Sequence, residues 1–168
     1  CHLATEFNTV TDKYIDDHTD DVAPLLQDLV EETEVVTGLS MWSIGKVEGK
    51  LLQLLVKISG ARKAVEIGTF TGFSALIMAE ALPEDGRLIT CETNEKHAEI
   101  SRRYFEKSPH GAKIRLELKP AMETLKAIAD GSVDFVFIDA DKPSYGPYFD
   151  EAMRILQSGG LIFVDNVF

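Results

Sequence analysis

Cysteine is scarce: Cys1 and Cys91 stand alone, and neither belongs to a Cys-x-x-Cys pair, so no disulfide framework is written in the chain. Cys91 lies inside an apolar segment and reads as a small buried hydrophobe rather than a nucleophile. Histidine is almost as sparse, and His2, His18, His97 and His110 are scattered among polar neighbours, which argues against a zinc site. Positive charge is also short. The 168 residues carry 17 Lys and Arg against 28 Asp and Glu, a formal net charge of −11, with no basic run. Phosphate backbones are bound by clustered cations, so nucleic acid is not an expected partner. Apolar runs stop far short of the roughly 20 residues that cross a bilayer, and no charged-then-apolar leader opens the chain. The expectation is a cytoplasmic protein without a membrane partner. Its start at Cys1 rather than Met reads as a processed or partial end.

What is present has a clear order. Residues 1–10 show no period and are expected to be loose. Over 21–36, Val22, Leu25, Leu26, Leu29 and Val30 recur at helical spacing, with Pro24 where a missing N–H costs little. A second helix is expected over 47–59, with Gly60 as its stop. The connector between them, "TGLSMWSIGKVEG", holds the only Trp, Trp42. From Lys63 the pattern changes to short apolar runs separated by helical segments. Strands are expected at 63–67, 87–92, 113–118, 133–139 and 160–165, and helices at 72–82, 94–107, 121–129 and 145–157. This alternation predicts an α/β, Rossmann-like, doubly wound fold, with a mostly parallel sheet covered by helices on both faces. One domain over 1–168 follows, with a helical extension over 1–60 and an α/β core over 61–168. Ligands of such sheets bind beyond the carboxyl ends of the strands, which puts Gly68, Glu92, Asp139 and Asp165 on one rim.

"VEIGTFTGFSA" (65–75) leaves the first strand and opens a helix. Gly68 and Gly72 allow a tight turn and close approach of a ligand, and the helix N-terminus favours an anionic group. The spacing is Gly-x-x-x-Gly, without the middle glycine of a dinucleotide fingerprint, so a pyrophosphate cradle and an NAD-dependent oxidoreductase are disfavoured. Glu92 ends the next strand, where a carboxylate can accept both hydroxyls of a ribose; the plainer reading is a solvated turn residue. A nucleoside with a charged amino-acid tail and no pyrophosphate suits this pair, and S-adenosylmethionine is such a ligand. Asp139 and Asp165, each ending a strand, could singly be no more than caps or turn starters.

Together these motifs, and above all "FIDADKPSYGPYFDEAMRILQSGGLIFVDNV", resemble the cation-dependent class I S-adenosylmethionine O-methyltransferases, the group containing caffeoyl-CoA and catechol O-methyltransferases. The resemblance spans about 41–168. It implies methyl transfer to a hydroxyl of a small, catechol-like aromatic acceptor. Residue by residue, it implies a divalent cation on Asp139, Asp165 and Asn166, with Mg²⁺ first and Mn²⁺ or Ca²⁺ as alternatives, and Lys142 as general base. It places Ile44, Glu66, Gly68, Gly72, Ser74, Glu92, Ala121 and Asp139 against the cofactor, with Ala121 beside the adenine. Glu48 falls in the segment that crosses the cofactor, without an assigned role. Asp141 is implied to support the ligands from behind or to cap a helix. Trp42 stands where the family carries a smaller residue.

The cation set makes chemical sense, because two carboxylates and an amide oxygen form a hard half-shell that leaves room for water and substrate. Family members continue past the Asp-Asn strand into a hairpin, whereas this sequence ends at Phe168, so either further residues follow it or part of the acceptor pocket is absent. An unpaired sheet edge would invite association, and a homodimer is expected. The alternative function is a catalytically weakened S-adenosylmethionine-binding or interaction protein.

Overall fold

The computed structural model describes residues 9–167. The expectations for 1–8, including those for Cys1 and His2, lie outside them. Helices α1 (Thr9–Asp17), α2 (Pro24–Thr37) and α3 (Lys46–Ser59) come first, with a 3₁₀ turn at Ser40–Trp42 between the last two. There follow β1 (Lys63–Ile67), α4 (Phe73–Ala81), β2 (Arg87–Glu92), α5 (Glu95–Lys107), β3 (Ile114–Leu118), α6 (Ala121–Ala127), β4 (Val133–Ile138), α7 (Tyr145–Ile155) and β5 (Leu156–Val164). The helix ends follow local chemistry. Gly38 and Gly60 close α2 and α3 in the left-handed conformation, and the Asn94 side chain caps α5 by accepting from Lys96 N–H.

All five strands are parallel, in the order β3-β2-β1-β4-β5. Both faces are buried, and successive strand residues alternate between them. Ala64, Leu88, Phe135 and Phe137 enter a core with α2, α3, α4 and α5, while Val65, Ile67, Val136 and Ile138 enter a second core with α6 and α7. Each large apolar side chain so buried contributes about 1.5–3 kcal/mol. Leu26, Leu29, Leu52 and Val56 belong to the first core, so α2 and α3 complete one face of the sheet. Among the described residues no helix is long and apolar enough to cross a membrane.

Most elements end within one to three residues of the sequence expectations, and three differences have a structural content. The turn of helix α1 continues over residues where no helix was expected. Lys113 leaves the third strand and caps α4 instead, its Nζ donating to the carbonyls of Ala79 and Leu82 at 3.0 and 2.8 Å. β5 begins at Leu156, because Gln157 to Gly160 form a bulge between the pairs Val133–Leu156 and Phe135–Leu161 rather than a free turn.

Candidate active site

The strand order reverses between β1 and β4, and a cavity of about 920 Å³ opens beyond their carboxyl ends. Backbone bonds carry the strand pairing one residue past each end. Asp139 N–H donates to Ile67, Asp165 N–H to Ile138, and the amides of Gly68 and Thr69 share the Cys91 carbonyl. This lacing sets Gly68, Glu92, Asp139 and Asp165 on the expected rim. Gly68 is required there: at φ 103° a Cβ would lie 1.9 Å from the Asp139 carbonyl oxygen.

Of the residues expected at the cofactor, Ile44, Gly68, Ser74, Glu92, Ala121 and Asp139 line the cavity. Gly72 stands behind its wall, where a Cβ would meet the Phe105 ring at 2.7 Å, so this glycine serves the packing of α4 on α5. Glu66 is also behind the wall and fully buried. Thr90 donates to its Oε2, Oε1 has no hydrogen-bond partner, and burial pushes the carboxyl up to about 8 despite the nearby Ser74 and Thr90 hydroxyls. Cys91 lines the cavity as a buried thiol pushed up to about 11 by burial, which suits a hydrophobe better than a nucleophile.

Glu92 is held firmly. Its Oε2 accepts Phe70 N–H and its Oε1 accepts the amides of Thr93 and Asn94, all at 2.8 Å. Two non-glycine residues among those described have positive φ, Phe70 at 48° and Asn166 at 52°, and both line this cavity. For a bulky residue such a conformation costs on the order of 1–3 kcal/mol. The bond to Glu92 retains it at Phe70; at Asn166 the backbone N–H and Nδ2 both donate to Asp165 Oδ1, at 2.7 and 2.8 Å.

On the other side of the cavity negative charge accumulates. Burial, then the Asp165 charge, raises the Asp139 carboxyl, while Lys142 opposes the shift. Glu48, from the first turn of α3, is pushed up to about 7 by burial and by Asp165 and Asp139. Lys142 Nζ lies 2.6 Å from the Tyr145 hydroxyl and 3.4 Å from Asp139 Oδ1. Burial would lower this lysine, but the tyrosine and aspartate together hold it above its ordinary value. Asp141 is tied by hydroxyls, accepting from Tyr148 at 3.1 Å and from Ser144.

No three His, Cys, Asp or Glu side chains stand at metal-binding spacing among the described residues. The donor chemistry nevertheless fits a hard divalent cation: two carboxylates and one amide oxygen open on the same cavity, and their mutual repulsion is what a cation would relieve. Glu48, Tyr145, Phe70 and His97 were not assigned to the site from sequence. A signal existed for Glu48, which shares the buried face of its helix with Leu52 and Val56, where a carboxylate is out of place.

The O-methyltransferase family model matches residues 16–168. A catechol O-methyltransferase of Niastella koreensis is 38% identical over 77% of this chain and 60% of its own length. Caffeoyl-CoA O-methyltransferase 1 of Zea mays is 37% identical over 86% of this chain and 59% of its own length. Thus the chain spans about three fifths of these two relatives. Among solved structures, the O-methyltransferase TomG from Streptomyces achromogenes, in complex with SAM, superposes with a TM-score of 0.85 at 30% identity, over 94% of this chain and 71% of that one.

Proposed function

The chain belongs to the O-methyltransferase family, and on that premise we propose that it moves the methyl group of S-adenosylmethionine to one hydroxyl of a catechol-like aromatic, with a divalent cation on Asp139, Asp165 and Asn166. One observation carries this reading: the anchored carboxylate Glu92 and the carboxylate pair Asp139 and Asp165 open on a single cavity at the switch in strand order. The catechol and caffeoyl-CoA relatives support the acceptor class.

Each residue has a definable task. Three backbone amides fix the plane of Glu92, two on Oε1 and one on Oε2, leaving a lone pair of Oε2 free to accept a ribose hydroxyl. Ile44 and Ala121, both buried, offer apolar walls to a flat ring, and Ser74 offers a hydroxyl. Asp139, Asp165 and the Asn166 amide oxygen suit Mg²⁺ first, although Mn²⁺ and Ca²⁺ take the same donors. Bound there, S-adenosylmethionine would supply an electrophilic methyl for the acceptor oxygen, leaving S-adenosylhomocysteine, and the cation would supply charge that acidifies the hydroxyl. Lys142 Nζ is the group placed to take the released proton, once neutral, with Tyr145 as its second hydrogen-bond partner.

A second reading is an S-adenosylmethionine-binding protein of weak turnover, favoured by Lys142 Nζ being engaged by Asp139 Oδ1 at 3.4 Å and the Tyr145 hydroxyl at 2.6 Å, contacts that suit an ammonium rather than a free base. Incubation with S-adenosylmethionine, catechol and Mg²⁺, with and without chelator, decides by mass spectrometry. A methyl ether that forms with the cation and disappears with chelator supports the first reading. Cofactor binding without product leaves the second. Absence of S-adenosylmethionine or S-adenosylhomocysteine binding in calorimetry refutes both.

A further inference from the structure

Trp42 is the only tryptophan of the chain, and it is 59% exposed, its neighbour Met41 85%. Both line the cavity. A large ring used only for packing would be covered. This one is presented from a fixed segment. Ser40 donates to the Glu34 carboxylate from both its backbone N–H and its hydroxyl, Trp42 N–H donates to the Leu39 carbonyl at 2.8 Å, and Ile44 beyond it is buried in the core.

The indole does not stand alone. Its centroid lies 5.9 Å from the Phe70 ring at 48°, and Phe70 in turn meets His97 edge-on at 4.7 Å. Three separate segments, the 3₁₀ turn, the loop after β1 and the first turn of α5, therefore contribute one aromatic row. The row is joined to Glu92. Phe70, kept in a left-handed conformation, gives its N–H to Glu92 Oε2, and His97 Nδ1 lies 3.9 Å from the same oxygen. The aromatic row and the Glu92 carboxylate therefore border the same part of the cavity.

We infer that Trp42 is a cofactor-recognition residue: its indole covers the nucleoside half of S-adenosylmethionine on the Glu92 side of the cavity, backed by Phe70 and His97. This rests on the reading of the cavity as an S-adenosylmethionine site. The chemistry is that of a π-face against a flat base and the apolar face of a sugar, which is insensitive to hydrogen-bond pattern and adds to what the carboxylate supplies. It also accounts for the exposure of Trp42, because a bound nucleoside would cover apolar surface that the protein leaves open.

The test uses S-adenosylhomocysteine as probe, titrated by calorimetry and by tryptophan emission, which reports on Trp42 alone. In the wild type, emission should change with the same affinity that calorimetry reads. Trp42→Ala should weaken binding about tenfold, and Trp42→Phe, which keeps a ring, by less than about threefold. Equal affinity of Trp42→Ala and wild type overturns the inference while leaving the proposed function standing. So does an emission change produced by catechol but not by S-adenosylhomocysteine, which would assign Trp42 to the acceptor. If Trp42→Ala does not fold, by its circular dichroism, the wild-type emission titration decides. Absence of any binding to the wild type removes this inference and the proposed function together.

Discussion

Replacing Glu66 by glutamine should change how stability depends on pH. Glu66 lies on β1 facing α4, fully buried, with one carboxyl oxygen bonded to Thr90 and the other without a partner. Burial raises its pKa to about 8 from an ordinary value of 4.5. Between those values the native state keeps a proton that the unfolded chain has released. Stability is therefore unaffected by this group below the lower value, falls as pH rises through the window, and levels off above the upper one. The slope is about 1.4 kcal/mol per pH unit at most. Glutamine reproduces the neutral form and does not titrate. Relative to wild type, Glu66→Gln should gain about 2–3 kcal/mol on going from about pH 5 to about pH 7. Urea unfolding followed by circular dichroism at a series of pH values, without cofactor or cation, measures that difference free of ligand linkage. A difference in stability that stays constant across this range would mean that Glu66 is already ionised in the folded protein, and the reasoning would fail.

Glu92→Ala should weaken S-adenosylhomocysteine binding by about 1.5–3 kcal/mol, through loss of the charge-assisted bond to ribose; unchanged affinity in calorimetry would dismiss the ribose role. Lys142→Ala should lower the turnover number by roughly 10²- to 10⁴-fold at neutral pH while leaving cofactor affinity in place, and part of the rate should return at alkaline pH. Near-normal turnover of that variant would take Lys142 out of the proton transfer. Gly68→Ala should destabilise the fold by about 3 kcal/mol or more, because its Cβ would run into the Asp139 backbone; a thermal midpoint equal to wild type would show that the strand ends are not so tightly crossed.

The strands were legible in the sequence because both faces of this sheet are buried. "VDFVFI" and "GLIFV" read as near-continuous apolar runs, and the carboxylates that follow them, Asp139 and Asp165, interrupt them where a rim begins. Glu92, Asp139 and Asp165 could thus be placed on one edge before any side chain was seen. Family resemblance carried the assignment of Lys142 and Asn166, since neither residue type nor spacing marks them otherwise. Tertiary structure decided the rest. The bulge at Gln157 to Gly160 depends on how β4 accepts its neighbour, and those residues by themselves have the composition of a turn. Gly72 meets Phe105, and Glu48 comes beside Asp165, only after helices distant in sequence have packed. Trp42 joins Phe70 and His97 for the same reason. Local periodicity records which face of an element is buried, whereas the identity of the group facing it is set by packing between elements, and that is where the protonation and shape of this cavity arise.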